Sequence, residues 1–381
     1  MSRIDELIQE LCPAGVEYVD LGTAVRIRNG SDYKALGAGD VPVYGSGGVM
    51  TSVDTPVHDG PSVLIPRKGS LGNLFYVDEP FWTVDTIFYT EIDTSRLIPK
   101  FFYYVMFTQR LAEKNQAGGV PSMTQSYLKR LRIPVPPLEV QREIVRVLDK
   151  FTQLEAELEA ELEARRAQYT HYRQAMLDQV DAPRVSLADL GTWLGGMTPS
   201  KQNAAYWDGG DIPWLASMDV SDESTNKIRG RVTARAVQET SLKVISGPSI
   251  PVVMRSNILR RTLPVGFVDV DTAVNQDIRA LVVGDDVDAR YAYQVLRADS
   301  ERIREQCVRT DGSMAAVSSK SFFAWRVPLP DLMEQRRIAA ALDEFDALVN
   351  DISIGLPAEL DARRKQYEYY RDRLLTFNEA V

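Results

Sequence analysis

Ile133-Pro134-Val135-Pro136-Pro137-Leu138 leads into Gln141-Arg142-Glu143-Ile144, then Leu148-Asp149 and Phe151. The same order returns 194 residues later, where Val327-Pro328-Leu329-Pro330-Asp331-Leu332 leads into Gln335-Arg336-Arg337-Ile338, Leu342-Asp343 and Phe345. Further on, Ala164-Arg165-Arg166-Ala167-Gln168-Tyr169 with Tyr172-Arg173 recurs as Ala362-Arg363-Arg364-Lys365-Gln366-Tyr367 with Tyr370-Arg371, now 198 residues apart. The second copy has therefore gained four residues. A fainter echo, Asp20-Leu21-Gly22-Thr23 against Asp189-Leu190-Gly191-Thr192, lies 169 residues apart. Two similar frames enclose two dissimilar contents, the signature of an internal duplication.

Each repeated segment reads as a long helix. The proline cluster at 134–137 enforces extended backbone and then stops, as it does just before a helix start. From Ile144 the apolar positions fall at Leu148, Phe151, Leu158, Leu162, Tyr169, Tyr172 and Met176, at spacings dominated by three, four and seven. The second copy gives Ile338, Leu342, Phe345, Val349, Ile352, Leu356, Leu360, Tyr367, Tyr370 and Leu374. Four extra residues are about one helical turn, so this seam continues as a stutter. Pro357 lies within it and is expected to kink or break the helix. Glu157, Glu159, Glu161 and Glu163 mark a solvated face.

The order is globule, helix, globule, helix. Two apolar seams pair in water, and pairing brings the second helix back antiparallel to the first. The N-terminal helix pattern of Ile4, Leu7, Ile8 and Leu11 then meets the end of the second helix. Roughly 40 helical residues make a rod of about 60 Å.

The 381 residues suffice for two or three domains, and 44% hydrophobic with 25% charged residues excludes a disordered chain. No apolar run is long enough to span a membrane, and the acidic amphipathic start is unlike a secretion signal, so a cytoplasmic protein is expected. Cys12 and Cys307 cannot build a disulfide framework and read as small buried hydrophobes. His58 and His171 have no metal-type spacing. The net charge of −9 argues at first against nucleic acid. Its distribution matters more: residues 133–183 and 327–381 each carry −4, whereas 1–132 carry −2 and 184–326 carry +1. The acid sits in the helices.

Both globules alternate strand and helix patterns. Strand candidates are Ser62–Ile65, Thr86–Thr90, Ser249–Met254 and Ile278–Val283, and helical patterns follow at Lys100–Asn115 and Ala289–Gln306. The polar loops are where function belongs. In the first globule they are 26–30, 44–48, 66–70 and Gly118-Gly119-Val120-Pro121-Ser122; in the second, 198–203, 255–261 and 309–313. Arg, Asn, Gln and Ser read base edges, while Lys, Ser and glycine amides suit phosphates. The candidate DNA contacts are Arg26, Arg28, Asn29, Lys34, Ser46, Arg67, Lys68 and Ser70, with Lys201, Gln202, Asn203, Arg255, Asn257, Arg260 and Arg261 in the second globule. Ordinary surface turns are the competing reading of each loop.

No phosphate-binding G-x-x-x-x-G-K-[ST] loop, dinucleotide fingerprint or G-x-S-x-G turn occurs, and no acidic pair is spaced as a hydrolytic dyad. Nothing marks an enzyme.

The duplicated P-x-P-P-L/Gln-Arg-x-Ile frame and the Arg-Arg-x-Gln-Tyr…Tyr-Arg helix ends resemble the specificity subunit of type I restriction–modification systems. Asp5-Glu6-Leu7-Ile8, Leu11-Cys12-Pro13 and Val19-Asp20-Leu21-Gly22 are similar to that family's opening, and Arg364 to Arg371 to its close. The resemblance implies an α+β fold: two mixed α/β target-recognition domains separated by two long antiparallel helices, a coiled-coil spacer, with pseudo-twofold internal symmetry. The expected boundaries are 1–137 for the first target-recognition domain with its N-terminal helix, 138–181 for the first spacer helix, 182–330 for the second domain and 331–381 for the second spacer helix. Each domain would read one half of a bipartite double-stranded DNA target, the helices setting the spacing. Two methyltransferase subunits and a motor–nuclease subunit are the implied partners. No cofactor is expected in this chain, S-adenosylmethionine belonging to the methyltransferase. The alternatives are a stand-alone DNA-binding or coiled-coil adaptor protein, and an enzyme using unmarked carboxylates.

Overall fold

The computed structural model describes residues 3–115, 119–220, 228–350 and 355–380; Gly118 and Ile352 lie outside them. The chain divides into two compact units, Met1–Leu158 with Leu360–Val381, and Glu159–Glu359. The division follows from the duplication: each unit holds one globule, the start of the helix that follows it, and the far end of the other repeat's helix.

In the first unit, antiparallel strands run in the order Val25–Asn29, Ile87–Ile92, Ser62–Pro66, Phe75–Val77. A second sheet orders Gly48–Val53, Val41–Gly45 and Trp82–Thr83, the last pair parallel. A two-stranded clasp of Tyr18–Asp20 and Arg132–Pro134 closes the globule. The second unit repeats this plan. Gly191–Gly195, Ile278–Val283 and Ile250–Val253 form its antiparallel sheet, Gly230–Val232, Ile212–Leu215 and Ala273–Val274 its mixed one, and Arg184–Ser186 with Arg326–Pro328 its clasp. All four strand candidates are strands. Val63, Ile65, Phe88, Phe101, Phe102 and Met106 centre one core, and Ile250, Val252, Leu281, Tyr291, Leu296 and Phe322 the other.

The clasps correct the fainter sequence echo. Tyr18 pairs Pro134 and Arg184 pairs Pro328, while Leu21 N donates to Leu131 O as Leu187 N does to Trp325 O. Asp20-Leu21 thus corresponds to Ser186-Leu187, and the Asp-Leu-Gly-Thr match three residues later is out of structural register.

The predicted helices following the strands are each divided. Pro99–Thr108 stops before Arg110, which sits at φ 46°, and a 3₁₀ turn covers Leu111–Lys114. Ala289–Ala298 and Ser300–Cys307 are separated at Asp299, whose carboxylate accepts Trp325 Nε1 at 2.8 Å.

The first long helix runs unbroken from Leu138 to Asp178, 41 residues. The return is described as two segments, Leu332–Asn350 and Gly355–Leu374. Pro357 lies in the first turn of the second segment, where its missing N–H has no helical partner to lose.

Within the first unit the helices pair antiparallel. Phe151 stacks on Tyr370 at 5.6 Å, and Glu155, one turn later, pairs with Arg364 at 2.7 Å. The N-terminal segment meets the chain's end as expected: Val16 N donates to Asn378 O at 2.8 Å, and Ile4 and Leu7 share a core with Leu375. In the second unit Tyr169 donates its hydroxyl to Leu342 O at 3.2 Å and lies 6.3 Å from the Phe345 ring. One seam position is shifted. Tyr172 is 55% exposed, and Arg173 is buried in its place with its guanidinium 5.2 Å from the Tyr169 ring. Arg371 stands over Tyr367 in the same way at 5.8 Å. The repeated Tyr-x-x-Tyr-Arg thus keeps an arginine on the tyrosine one turn earlier.

The repeated Gln-Arg-x-Ile has an equally concrete job. Gln141, fully buried, accepts from Ile98 N at 2.8 Å and donates to Arg96 O and Pro136 O at 2.9 and 2.7 Å. Gln335, also fully buried, accepts from Asp288 N at 2.7 Å and donates to Asp286 O and Pro330 O at 3.0 and 2.8 Å. One amide staples the start of each long helix to the loop before its globule's helix.

Candidate nucleic-acid interface

Each unit gathers its polar loops at the ends of its central strands, because backbone hydrogen bonds lock three segments together. In the first unit Arg67 N donates to Thr86 O at 3.0 Å, Met123 N to Arg67 O at 2.9 Å, and Gly69 N to Pro121 O at 2.8 Å. Ser46 joins them: its N donates to Thr86 Oγ1 at 3.3 Å and its carbonyl accepts from Asn73 Nδ2 at 3.2 Å. In the second unit Met254 N donates to Asp277 O at 2.7 Å, Val317 N to Met254 O at 2.8 Å, and Ser256 N to Ala315 O at 3.0 Å. Arg67 corresponds to Met254 and Lys68 to Arg255. The match extends to an antiparallel bridge, Lys68 to Ser122 and Arg255 to Ala316. A fourth segment passes close to the same point in both. A Cβ at Gly30 would lie 2.1 Å from Val84 O, and one at Gly196 would lie 1.7 Å from Val274 O, so only glycine fits.

The predicted contacts divide into groups that are spent and groups that face solvent. Arg28 is spent: its Nε and Nη2 donate to Glu91 at 2.9 and 3.2 Å, a pairing that raises its pKa. Arg26, on the same exposed strand face, lies opposite Glu91 in register. Asn29 accepts from Gln125 Nε2 at 3.3 Å. Arg67 holds its guanidinium 5.3 Å from the Phe88 ring. Lys68 reaches Asp85 at 3.6 Å, both side chains open to water. Ser70 is exposed and its carbonyl accepts from Asn73 N at 3.0 Å, which brings 46, 67, 68 and 70 into one cluster. Lys34 is exposed on a separate turn, its N donating to Asp32 at 3.1 Å.

In the second unit Lys201 and Gln202 are exposed, and Asn203 caps a short 3₁₀ helix by accepting from Ala205 N at 3.2 Å. Their loop is tied to the cluster by Thr198, which donates to Gln276 at 2.7 Å. Arg255 donates to Asp277 at 2.7 Å. Asn257 and Arg261 are exposed. Arg260 is spent on its neighbouring loop, Nη1 and Nη2 donating to Thr310 O and Gly312 O at 3.3 and 3.1 Å.

This pair of frames, equal in backbone and unequal in side chains, is matched along most of the chain by the family model "Type I restriction modification DNA specificity domain", over residues 14–164 and 180–362. The chain belongs to that family. It is 37% identical over 297 residues to the Type I restriction enzyme EcoR124I/EcoR124II specificity subunit of Escherichia coli, covering 76% of this chain and 73% of the other. It is 28% identical over 361 residues to a putative type I restriction enzyme specificity subunit of Haemophilus influenzae, covering 90% and 89%. Among solved structures, a chain from work on complex assembly and conformational transition of the type I R-M system superposes with TM-score 0.62 at 16% identity, over 95% of this chain and 96% of the other.

This specificity subunit is the non-catalytic member of its system, chemistry residing in partner subunits. Among the described residues no group of three His, Cys, Asp or Glu is placed to hold a metal, and no helix is long and apolar enough to cross a membrane. Cys12 and Cys307 are buried, and burial pushes both thiols up. The sequence reading missed Thr86, Gln276 and Asp277. Their signal was positional: Thr86 opens one predicted strand, and Asn275-Gln276-Asp277 immediately precedes another.

Proposed function

We propose that this specificity subunit reads a bipartite double-stranded DNA target, one half with each unit, and that the helices set the number of unread base pairs between the halves. The observation that carries the reading is the duplicated loop cradle: one set of backbone bonds holds Arg67-Lys68 and Met254-Arg255 in the same place on different surroundings. A frame repeated with altered polar contents is what two readers of two sequences require. Lys68, Ser46 and Ser70 in the first unit, and Lys201, Gln202, Asn203, Arg255, Asn257 and Arg261 in the second, are the groups we assign to DNA. Arg28 ties two neighbouring strands together and Arg260 supports a loop. Arg67 sits in the cradle, Arg26 and Asn29 lie on the strand beside it, and Lys34 on a separate turn adds a further cation.

The acidic outer faces of the helices belong to protein rather than DNA, and we assign them to two methyltransferase subunits, which bind S-adenosylmethionine, with a motor–nuclease subunit joining the assembly in the cytoplasm. The long helix, to which both units contribute, is the natural ruler. The test is long-read methylome sequencing of a host carrying the system with this chain, without it, and with four residues inserted in the long helix near Ala160. Methylation at a bipartite motif should depend on the chain. The insertion, about 6 Å of helix, should lengthen the unread gap by one or two base pairs at ~3.4 Å each. An unchanged gap would remove the ruler from the proposal.

A further inference from the structure

The cation at the centre of each cradle differs in a way that separates two kinds of DNA contact. Lys68 is a flexible point charge 3.6 Å from Asp85, and both side chains are about half exposed or more, at 49% and 68%. Arg255 occupies the equivalent position, but it is built in. Its Nε donates to Asp277 Oδ1 at 2.7 Å. Asp277 is only 17% exposed. The other oxygen, Oδ2, accepts from Gln276 Nε2 at 3.1 Å, and Gln276 Oε1 accepts from Thr198 at 2.7 Å. The Asp277 backbone is fixed as well, its N donating to Asn275 Oδ1 at 3.1 Å and its carbonyl accepting from Met254 N at 2.7 Å. Both carboxylate oxygens and both backbone polar groups of Asp277 are committed, so its position is set by its own turn, by Met254-Arg255 and, through Gln276, by Thr198.

A guanidinium gripped by Nε keeps its outer edge for a ligand. Arg255 Nη1 and Nη2 make no hydrogen bond among the described residues, and the side chain is 56% exposed. Two parallel N–H donors on a planar, permanently charged fork match the O6 and N7 acceptors of guanine in the major groove. A lysine cannot present that pair. Holding the fork before DNA arrives also removes part of the ordering entropy that binding would otherwise consume.

The geometry points to Arg255 as the guanine-reading residue of the second unit's half-site, with Asp277 as the residue that positions it. This rests on the reading of both units as DNA readers. Lys68, without a buried buttress, serves the phosphate backbone at the same place in the first unit.

The test uses the whole complex with its methyltransferase. Wild type, Arg255→Lys and Asp277→Asn complexes are compared by methylome sequencing and by methylation rate on duplexes carrying each base in turn at every guanine of the half-sites. Arg255→Lys keeps the charge and loses the fork. It should lower discrimination at one guanine, in one half-site only, by about ten- to a hundredfold, leaving the other half-site and the salt dependence unchanged. Asp277→Asn should relax the same position by a smaller factor. If Arg255→Lys leaves discrimination at every guanine unchanged, or reduces rates equally on all sequences, Arg255 is not a base reader. If the wild-type complex shows no sequence preference at all, the DNA-reading assignment itself fails, which the two variants cannot mimic. Should Arg255→Lys fail to assemble, Asp277→Asn with its unaltered arginine decides by the same position-specific readout.

Discussion

The two units fill one seat with opposite chemistry. Where the globule's helix meets the long helices, the first unit presents Tyr104, Phe107 and Thr152, and the second presents Gln294, Arg297 and Asp346 at the equivalent positions. Tyr104 donates to Asp149 at 2.5 Å, and burial together with that bond drives its pKa far up. Around it Tyr76, Tyr103, Phe107, Tyr367 and Arg371 line an open groove of about 740 Å³. In the second unit Gln294 donates to Asp343 at 2.7 Å, Arg297 pairs with Asp346, and Arg173 is buried nearby. The lesson is that the frame does not depend on what fills this seat. The glutamine staples and strand clasps fix the backbone, and the contents are free to diverge.

The sharpest way to break this comparison is to remove one filling from each unit. Asp346→Ala removes the carboxylate that Arg297, whose side chain is 10% exposed, pairs with. Removing one partner of a buried pair costs about 3–5 kcal/mol. Thr152→Ala removes a hydroxyl that bonds Leu148 O at 3.1 Å on a solvent-facing helix turn, and should cost under about 1 kcal/mol. Hydrogen exchange of each helix pair measures both. Equal losses would mean that the second unit's charges are not buried as described.

The staples sharpen the comparison from the other side, because they should behave alike. Gln141→Ala and Gln335→Ala each strand one backbone N–H and two carbonyls, and each should destabilise its own unit by about 2–3 kcal/mol. Denaturant unfolding followed by tryptophan emission weights the second unit, which holds Trp193, Trp207, Trp214 and Trp325, against Trp82 in the first. A loss confined to one variant would show that the repeated Gln-Arg motif has different roles in its two copies.

These staples also explain what could be read before the fold was seen. Gln141, Leu148 and Tyr169 recur because they make frame contacts that both units need, so the duplication, the helices and the meeting of the chain's two ends were legible. The loops were legible only as polar turns. Nothing local to Arg28 or Arg260 reveals that Glu91, 63 residues away, or the carbonyls at 310 and 312 consume their donors. Asp277 looks like any surface acid until the strand order places it beside Arg255. Side-chain direction on the helix was misjudged at Tyr172 for a related reason: its aromatic ring suggests burial, but Arg173 stacks on Tyr169 and takes the inward position.

The smallest effect concerns acid. Arg302 grips Asp178 with two bonds, at 2.9 and 3.1 Å, and this pairing holds the Asp178 carboxyl below its ordinary range. In the corresponding region of the first unit Arg110 and Asp372 pair more loosely, at 3.8 Å. A carboxyl whose pKa is lower folded than unfolded adds stability above its unfolded value of about 3.9, and loses it as pH falls through the folded value. The side chains are 46% and 43% exposed, so solvent screening limits the contribution to about 0.5 kcal/mol. Asp178→Asn should therefore be less stable than wild type by about that amount at pH 6, and the gap should close as the pH falls toward about 3. Unfolding of both proteins across this range, read by tryptophan emission, weights the comparison toward the second unit, which holds four of the five tryptophans. A gap that stays constant with pH would assign the loss to packing at the helix end and leave the two units alike in their response to acid.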